Sequence, residues 1–291
     1  MMNKLQYRRF AYDNEDFAIH MLTSAERTFL TNAYIVETEN ALVVVDTMMI
    51  NSDALLLRQR VEEINKPLRA IIITHGHPDH YNGTPIVASG FDDIPIISTR
   101  GVRDCIENTA DSKEIKWKPY FGLEWPNKKL LPNQLVEDGE TLTIDGLDYY
   151  FRDLGAAESN SDLYFTVGRN RSVVFVGDIV FNEMHGFMND GHSRQWLIVL
   201  EQLLTEMADV KQLYTGHGMP GKTSDLIQAQ INYIISYRNN LLPLIESNNI
   251  LASEQKDEFE RNMKNDFPKY QLGPFIKAGI EAVVQELMSE I

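Results

Sequence analysis

The sequence predicts a mixed α/β (α+β) fold with an appended C-terminal helical segment, on three observations. Short β-branched runs flank one strong helical pattern in the first half. Hairpin punctuation recurs in the middle, and helical spacing takes over from Thr223 to the end. The 291 residues suffice for one large domain with a sizeable core, or two small ones. A division at residue 222 is expected, with a body over 1–222 and a helical extension over 223–291 packed on it.

Taken in order, Tyr34-Ile35-Val36 and Leu42-Val43-Val44-Val45, joined through Glu39-Asn40, read as a hairpin ending at Asp46. Ser52 to Ile64 has helical spacing, with Leu55, Leu56, Leu57, Val61 and Ile64 apolar and Ser52 as the expected N-cap. Leu68 to Thr74 ends in a β-branched apolar run and reads as a buried strand, so strand, helix and strand make one α/β layer pair. Tyr81-Asn82-Gly83 leads into a short helix, and Pro95-Ile96-Ile97-Ser98 is another buried strand.

Asp111 to Asn133 breaks the pattern. It holds Trp117, Tyr120, Phe121 and Trp125 among Pro119, Pro126 and Pro132. It reads either as a lid or substrate wall, or as an ordinary loop anchored by its aromatics. Asp138-Gly139 and Asp145-Gly146 mark tight turns, and Leu163–Val167 pairs with Ser172–Val176 across Gly168-Arg169-Asn170, as a second sheet requires. Ser193 to Met207 is a helix with Ser193 as the expected cap and Trp196, Leu200 and Leu203 on its apolar face. Leu213-Tyr214-Thr215 is a further strand. The tail carries apolar faces at Ile227, Ile231 and Ile234 and at Ile280, Val283 and Leu287, with a bend between Asn262 and Pro274. Packing on the body is its expected role; covering the site edge or forming a dimer contact are the alternatives.

A formal net charge of −15 argues against nucleic acid and against an anionic membrane surface. The single cysteine, Cys105, leaves no intrachain disulfide and no cysteine-rich zinc site, and reads as a small buried apolar residue. Residues 1–20 show no apolar signal-peptide core, and no uncharged apolar run is long enough to span a bilayer. The expected location is cytoplasmic. The expected partner is a small-molecule substrate, with no nucleic acid and no membrane; a homodimer is left open.

The chemistry concentrates in His75-Gly76-His77-Pro78-Asp79-His80, which follows the buried strand and holds three of the chain's seven histidines. A strand that stops at such a loop aims alternate side chains at one point. Imidazole nitrogen and carboxylate oxygen are ligands that borderline divalent metals prefer. The bland alternative is a solvated polar turn.

This motif resembles the metallo-β-lactamase superfamily of metallohydrolases. The resemblance implies a four-layer αββα sandwich with metals at one edge, between the two sheets. It implies that Asp46 supports the metal loop, or else is a plain strand-end turn residue. It places Glu158 where most members have a histidine, in the loop from Asp153 to Asp162. Gly155, Glu158 and Asp162 there resemble the Gly-x-x-Glu-x-x-x-acid loop of the alkylsulfatase branch. Asp178, after Val173 to Gly177, matches the acid that bridges both metals; the alkylsulfatase branch has glutamate there, so Asp178 follows the general pattern. His217, between Gly216 and Gly218, matches the closing ligand, its glycines allowing close backbone approach and a sharp turn. Carried over, His75, His77 and Glu158 hold a first metal, Asp79, His80 and His217 a second, and Asp178 touches both. His185 and His192, in the loop after Asp178, are candidate substrate contacts, with loop packing as the alternative. His20 lies far from any motif and reads as structural.

The implied activity is that of a dinuclear metal-dependent hydrolase. Two divalent ions (zinc first, manganese or iron as alternatives) would supply a metal-bound hydroxide, with Asp79 and Asp178 as catalytic residues. The target would be an ester-type bond (carboxylic, thio-, sulfate or phosphate ester) or a lactone or amide. One alternative is a sulfatase-like or phosphoesterase enzyme, which Glu158 favours. Another is a degenerate or mononuclear metal-binding domain without turnover. A di-iron oxidoreductase ranks last, because that type resembles His-x-Glu-x-Asp-His and His77 stands at the glutamate position here.

Overall fold

The computed structural model describes residues 5–13, 15–91, 93–245 and 250–290; the outer ends of the two expected segments, residues 1–4 and 291, lie outside them. Strands β1 (Gln6–Ala11), β2 (Ala18–Thr23), β3 (Asn32–Glu37), β4 (Leu42–Val45), β5 (Leu68–Ile72), β6 (Ile96–Thr99) and β7 (Gln134–Val136) form one sheet in chain order. Its first three junctions are antiparallel and its last three parallel. Parallel neighbours need crossovers. Helix α1 (Asn51–Ile64) supplies the first, the short α2 (Pro78–Tyr81) and α3 (Thr84–Val87) the second, and α4 (Arg100–Phe121) the third.

The second sheet holds β8 (Thr141–Ile144), β9 (Leu147–Gly155), β10 (Asp162–Val167), β11 (Val173–Phe175), β12 (Gln212–Tyr214) and β13 (Gly221–Lys222), in the order β13-β12-β11-β10-β9-β8. Here β11 and β12 alone run parallel, joined through α5 (Ser193–Glu206). Helices α6 (Thr223–Leu241), α7 (Ser253–Asp266), α8 (Pro274–Ala278) and α9 (Ile280–Ser289) follow. Among the described residues no helix is long and apolar enough to cross a membrane.

The sheets face each other through aromatic side chains. Tyr34 of β3 meets Phe175 and Tyr214 of the second sheet edge-on, ring centroids 5.3 and 5.4 Å apart. Leu57 and Val61 of α1 and Val102 and Ile106 of α4 join this core from outside the first sheet. A second apolar cluster joins Val174 and Leu213 to Trp196 and Leu200 of α5, Ile227 and Ile234 of α6, and Val283 and Val284 of α9. The four-layer αββα architecture is thus present, and the last helices share the core of its outer layer. Covered on both sides, β10 is buried at every position, so it reads as a continuous run instead of an alternating one.

Several local expectations are corrected. Helix α1 begins one residue early, with Ile50 at the cap position, and the Ser52 N–H is answered by Glu124 Oε2 at 2.9 Å from the far side of α4. Ser193 is the first residue of α5 and not its cap. A distant carboxylate, Glu286 of α9, accepts from its N–H at 2.9 Å. The stretch from Asp111 to Phe121 is the second half of the 22-residue α4, with Pro119 in its last turn. The helix escapes notice because its buried stripe is only Val102, Ile106 and Ala110, spaced by four. The paired strands β1 and β2 were also not anticipated: β1 is an exposed edge with no apolar alternation. His20 is buried in β2 and bridges Tyr7 Oη and Glu37, each at 2.8 Å.

Candidate metal centre

The expected ligands arrive from strand ends at one edge of the sandwich. His75 follows β5 and is bridged through its backbone to Asp162, with the Leu163 N–H donating to the Thr74 carbonyl at 3.1 Å. This joins the first sheet to the loop that carries Glu158. Asp162 itself holds that loop, accepting from the N–H groups of Ser159 at 2.8 Å and Ala157 at 3.2 Å. Asp178 sits in a single 3₁₀ turn after β11. His217 follows β12 and pairs with Thr31 and Phe181. A Cβ on Gly216 would lie 1.8 Å from Asp178 Oδ1, and one on Gly218 (φ +89°) 2.0 Å from the Asn182 carbonyl. The two glycines around His217 therefore serve a close approach and a left-handed turn.

Two clusters result: His75, His77, Glu158 and Asp178, then Asp79, His80 and His217, the candidate ligand atoms of each lying within 4.8 Å of one another. Asp178 also reaches the second cluster, with Oδ1 3.3 Å from His80 Nε2 and Oδ2 3.1 Å from His217 Nε2. Asp79 Oδ2 lies 3.4 Å from both His80 and His217 and accepts from Thr31 Oγ1 at 2.7 Å.

Each imidazole is oriented by the nitrogen that faces away from the cluster. His80 Nδ1 meets Asp46 at 2.8 Å, His77 Nε2 meets Asp190 at 3.2 Å, and His217 Nδ1 meets the Phe29 carbonyl at 2.7 Å. Thr74 donates its hydroxyl to Asp46, which leaves its oxygen to accept from His75 Nδ1 at 3.0 Å. A neutral ring so held keeps its proton on the outer nitrogen and presents a lone pair inward, as metal-ligating histidines do. Asp46 thus serves two rings, His80 directly and His75 through Thr74, and does so with φ +58°, a conformation rarely taken by non-glycine residues.

Burial pushes the Glu158 carboxyl up to about 8, against the opposing pull of His77. Burial alone would lower His77, His80 and His217. The carboxylates around them outweigh it, holding the first two well above their usual range and His217 up to about 9. His75 goes the other way, lowered by burial and by His80. Asp79 and Asp178 lie well below the carboxylate range because neighbouring imidazoles overcome their burial. Buried acids here draw positive charge to themselves. Meanwhile His75 Nε2, His80 Nε2, both Glu158 oxygens and Asp178 Oδ1 are buried without a hydrogen-bond partner. Orphaned polar atoms converging on one point, all nitrogen or carboxylate oxygen, fit divalent cations.

Beside the clusters opens a narrow cavity, lined by His77, Asp79, Asp178 and His217 and walled by Phe29, Trp117, Phe187 and Phe275. The rings touch in sequence: Trp117 to Phe29 at 5.3 Å, Phe29 to Phe275 at 5.4 Å, Phe275 to Phe187 at 5.1 Å. Helix α4 therefore does form a wall of the cavity, and α8 brings the C-terminal segment to it. Neither His185 nor His192 lines it. His185 is packed between Tyr233 and Tyr270, with burial pushing it down to about 4. His192 reaches Asn160 at 2.9 Å, tying its loop to that of Glu158. Asp190, which holds His77, lies between these two histidines in sequence, and nothing in its residue type distinguished it.

The chain belongs to the metallo-β-lactamase superfamily, whose family model matches residues 27–217, a span that contains all seven clustered residues. Curated relatives include a hydroxyacylglutathione hydrolase of Prochlorococcus marinus (strain MIT 9301), 29% identical over 54% of this chain and 54% of the relative. Another is an alkyl/aryl-sulfatase of Saccharomyces cerevisiae, 25% identical over 54% of this chain and 29% of the relative. The chain spans about half the length, or less, of these relatives. Among solved structures, a metallo-β-lactamase from Pontibacter korlensis superposes with a TM-score of 0.62 at 16% identity, covering 79% of this chain and 99% of that one. Such likeness establishes the fold. The relatives named are hydrolases of the superfamily, and the two clusters are candidate metal sites.

Proposed function

We propose that the chain is a dinuclear metal-dependent hydrolase of ester-type bonds. The observation that carries this reading is the convergence of four imidazoles, each braced from behind, with three buried carboxylates beside one aromatic-walled opening. His75, His77 and Glu158 would hold the first ion, Asp79, His80 and His217 the second, and Asp178 both; zinc suits the nitrogen-rich set, and the added carboxylate of Glu158 also suits manganese or iron. When bound, two such ions acidify a water and polarise the scissile group. Thr31 fixes one oxygen of Asp79, leaving that carboxylate placed to orient the attacking water or take its proton. Phe29, Trp117, Phe187 and Phe275 exclude bulk water from the open side.

The position of Glu158 and the similarity to an alkyl/aryl-sulfatase support sulfate esters as a target; the hydroxyacylglutathione hydrolases support thioesters. The test is metal content by inductively coupled plasma mass spectrometry, with turnover of carboxylic, thio-, sulfate and phosphate aryl esters. Two equivalents of a divalent metal and turnover of at least one ester are expected. One equivalent or none after reloading, without turnover, would point to a mononuclear or degenerate domain.

A further inference from the structure

Two lysines of α4 share the cavity with the metal-site residues. Lys113 and Lys116 line it beside His77, Asp79 and Asp178, on the wall that also carries Trp117. Among the described residues neither makes an ion pair or a hydrogen bond; Lys116 lies over the Trp117 ring, 5.0 Å from its centroid. Other cations of the chain are paired, as Lys66 is with Glu37, Lys129 with Asp111 and Lys264 with Glu260, or lie on the surface without an ion pair among the described residues, as Lys211 and Lys269 do; these two are set apart by their place on the cavity wall. Asp190, already engaged with His77, is an acid whose charge reaches both lysines without pairing with either. Lys116 is held below its usual value, by burial first and by Lys113 second, with Asp190 pulling the other way. A pair of like charges with no ion-pair partner at the rim of an aromatic cavity is stabilised further by an anion placed between them.

We infer that Lys113 and Lys116 form an anion-recognition site at the mouth of the cavity, and that the substrate is an amphiphilic anion. Its apolar or aromatic body lies against Trp117, Phe29 and Phe275, and its carboxylate, sulfonate or phosphate group meets the lysine pair. The scissile bond of such a molecule then lies toward Asp79 and Asp178. The inference rests on the hydrolase reading for what happens to the bond, and on the lysines and aromatic wall alone for what binds. It also reconciles the acidic surface of the chain with an anionic substrate, because among the described residues these two are the only lysine or arginine side chains lining this cavity.

The test separates binding from turnover. Metal-loaded protein is titrated with naphthalene-2-sulfonate and with its neutral counterpart naphthalene-2-methanol, read by calorimetry and by tryptophan fluorescence. The wild type should bind the sulfonate about tenfold more tightly than the alcohol. In Lys113→Gln/Lys116→Gln that preference should vanish through weaker sulfonate binding, and Lys113→Arg/Lys116→Arg should retain it. Equal affinity for the two probes in the wild type overturns the inference. So does a preference that survives the glutamine variant, since the anion is then held elsewhere. Neither probe is hydrolysed. Equal affinity of the wild type for the two probes with ester turnover intact therefore rejects the recognition site alone, whereas a lysine-dependent preference without turnover rejects the hydrolase reading alone.

Discussion

The two clusters are built from similar residues but answer their charge differently. In the second, Asp79 lies against His80, His217 and the Thr31 hydroxyl, so its carboxylate is satisfied within the protein. In the first, Glu158 has His77 Nδ1 at 3.2 Å but no hydroxyl or backbone donor, and burial carries its carboxyl up to about 8. The second cluster is organised before any cation arrives. The first has at its centre a group whose ionised form is costly until a cation is present. Occupancy should therefore be unequal, with the first cluster the weaker and the more sensitive to acid.

The largest blow falls on what the clusters share. Asp178→Asn removes the charge facing both, and turnover should fall by at least roughly a thousandfold with metal content below one equivalent while the circular dichroism spectrum is kept. Unchanged turnover would remove Asp178 from the chemistry. Next, Glu158→Gln should leave about one equivalent of metal and lower turnover by roughly a hundredfold. Glu158→His tests the same position from the other side: two equivalents of zinc bound and reduced affinity for manganese would show that the carboxylate sets metal choice.

Acidity offers a third measurement. In metal-free protein Glu158 and His217 have folded-state values raised to about 8 and about 9. Raised groups stabilise the folded state most below their unfolded values and lose that contribution as pH rises. The lowered carboxylates Asp79 and Asp178 have given their full contribution well below pH 6.5, and lowered His75 gains only its last fraction above it, less than the raised groups lose. Chelated protein should therefore melt lower at pH 8 than at pH 6.5, by on the order of 5 °C, and metal-loaded protein should not. A chelated protein that gains stability over this interval would refute the contrast. Smallest, Asp190→Asn keeps the hydrogen bond to His77 Nε2 but not the charge, and should weaken metal affinity about tenfold at the first cluster only.

What could be read from the sequence follows the same division between near and far. His75 to His80 declares itself because the ligands are neighbours. Asp178 and His217 are legible because each ends an apolar strand beside a glycine. The braces are not: Thr31, Thr74 and Asp190 are ordinary residue types whose roles exist only once distant strands meet. The wall is hidden for a related reason. Trp117 was noticed as an aromatic of a broken stretch, yet that stretch is helical, and its function depends on Phe29 and Phe275, one placed well before it in the chain and one near the end. The C-terminal helices read as packing elements in the sequence, and nothing there marks Phe275 of α8 as a side chain that lines the cavity.

Phe29 carries two duties on one residue: its ring belongs to the wall and its carbonyl holds His217. Because the second duty is performed by the main chain, any side chain that tolerates φ +69° leaves it untouched. Variation at this position can thus retune what enters the cavity while the His217 ring stays in place. The same holds for Trp117, Phe187 and Phe275, none of which is among the clustered ligands. A lineage carrying this scaffold has four sites at which to change its diet without relearning its chemistry.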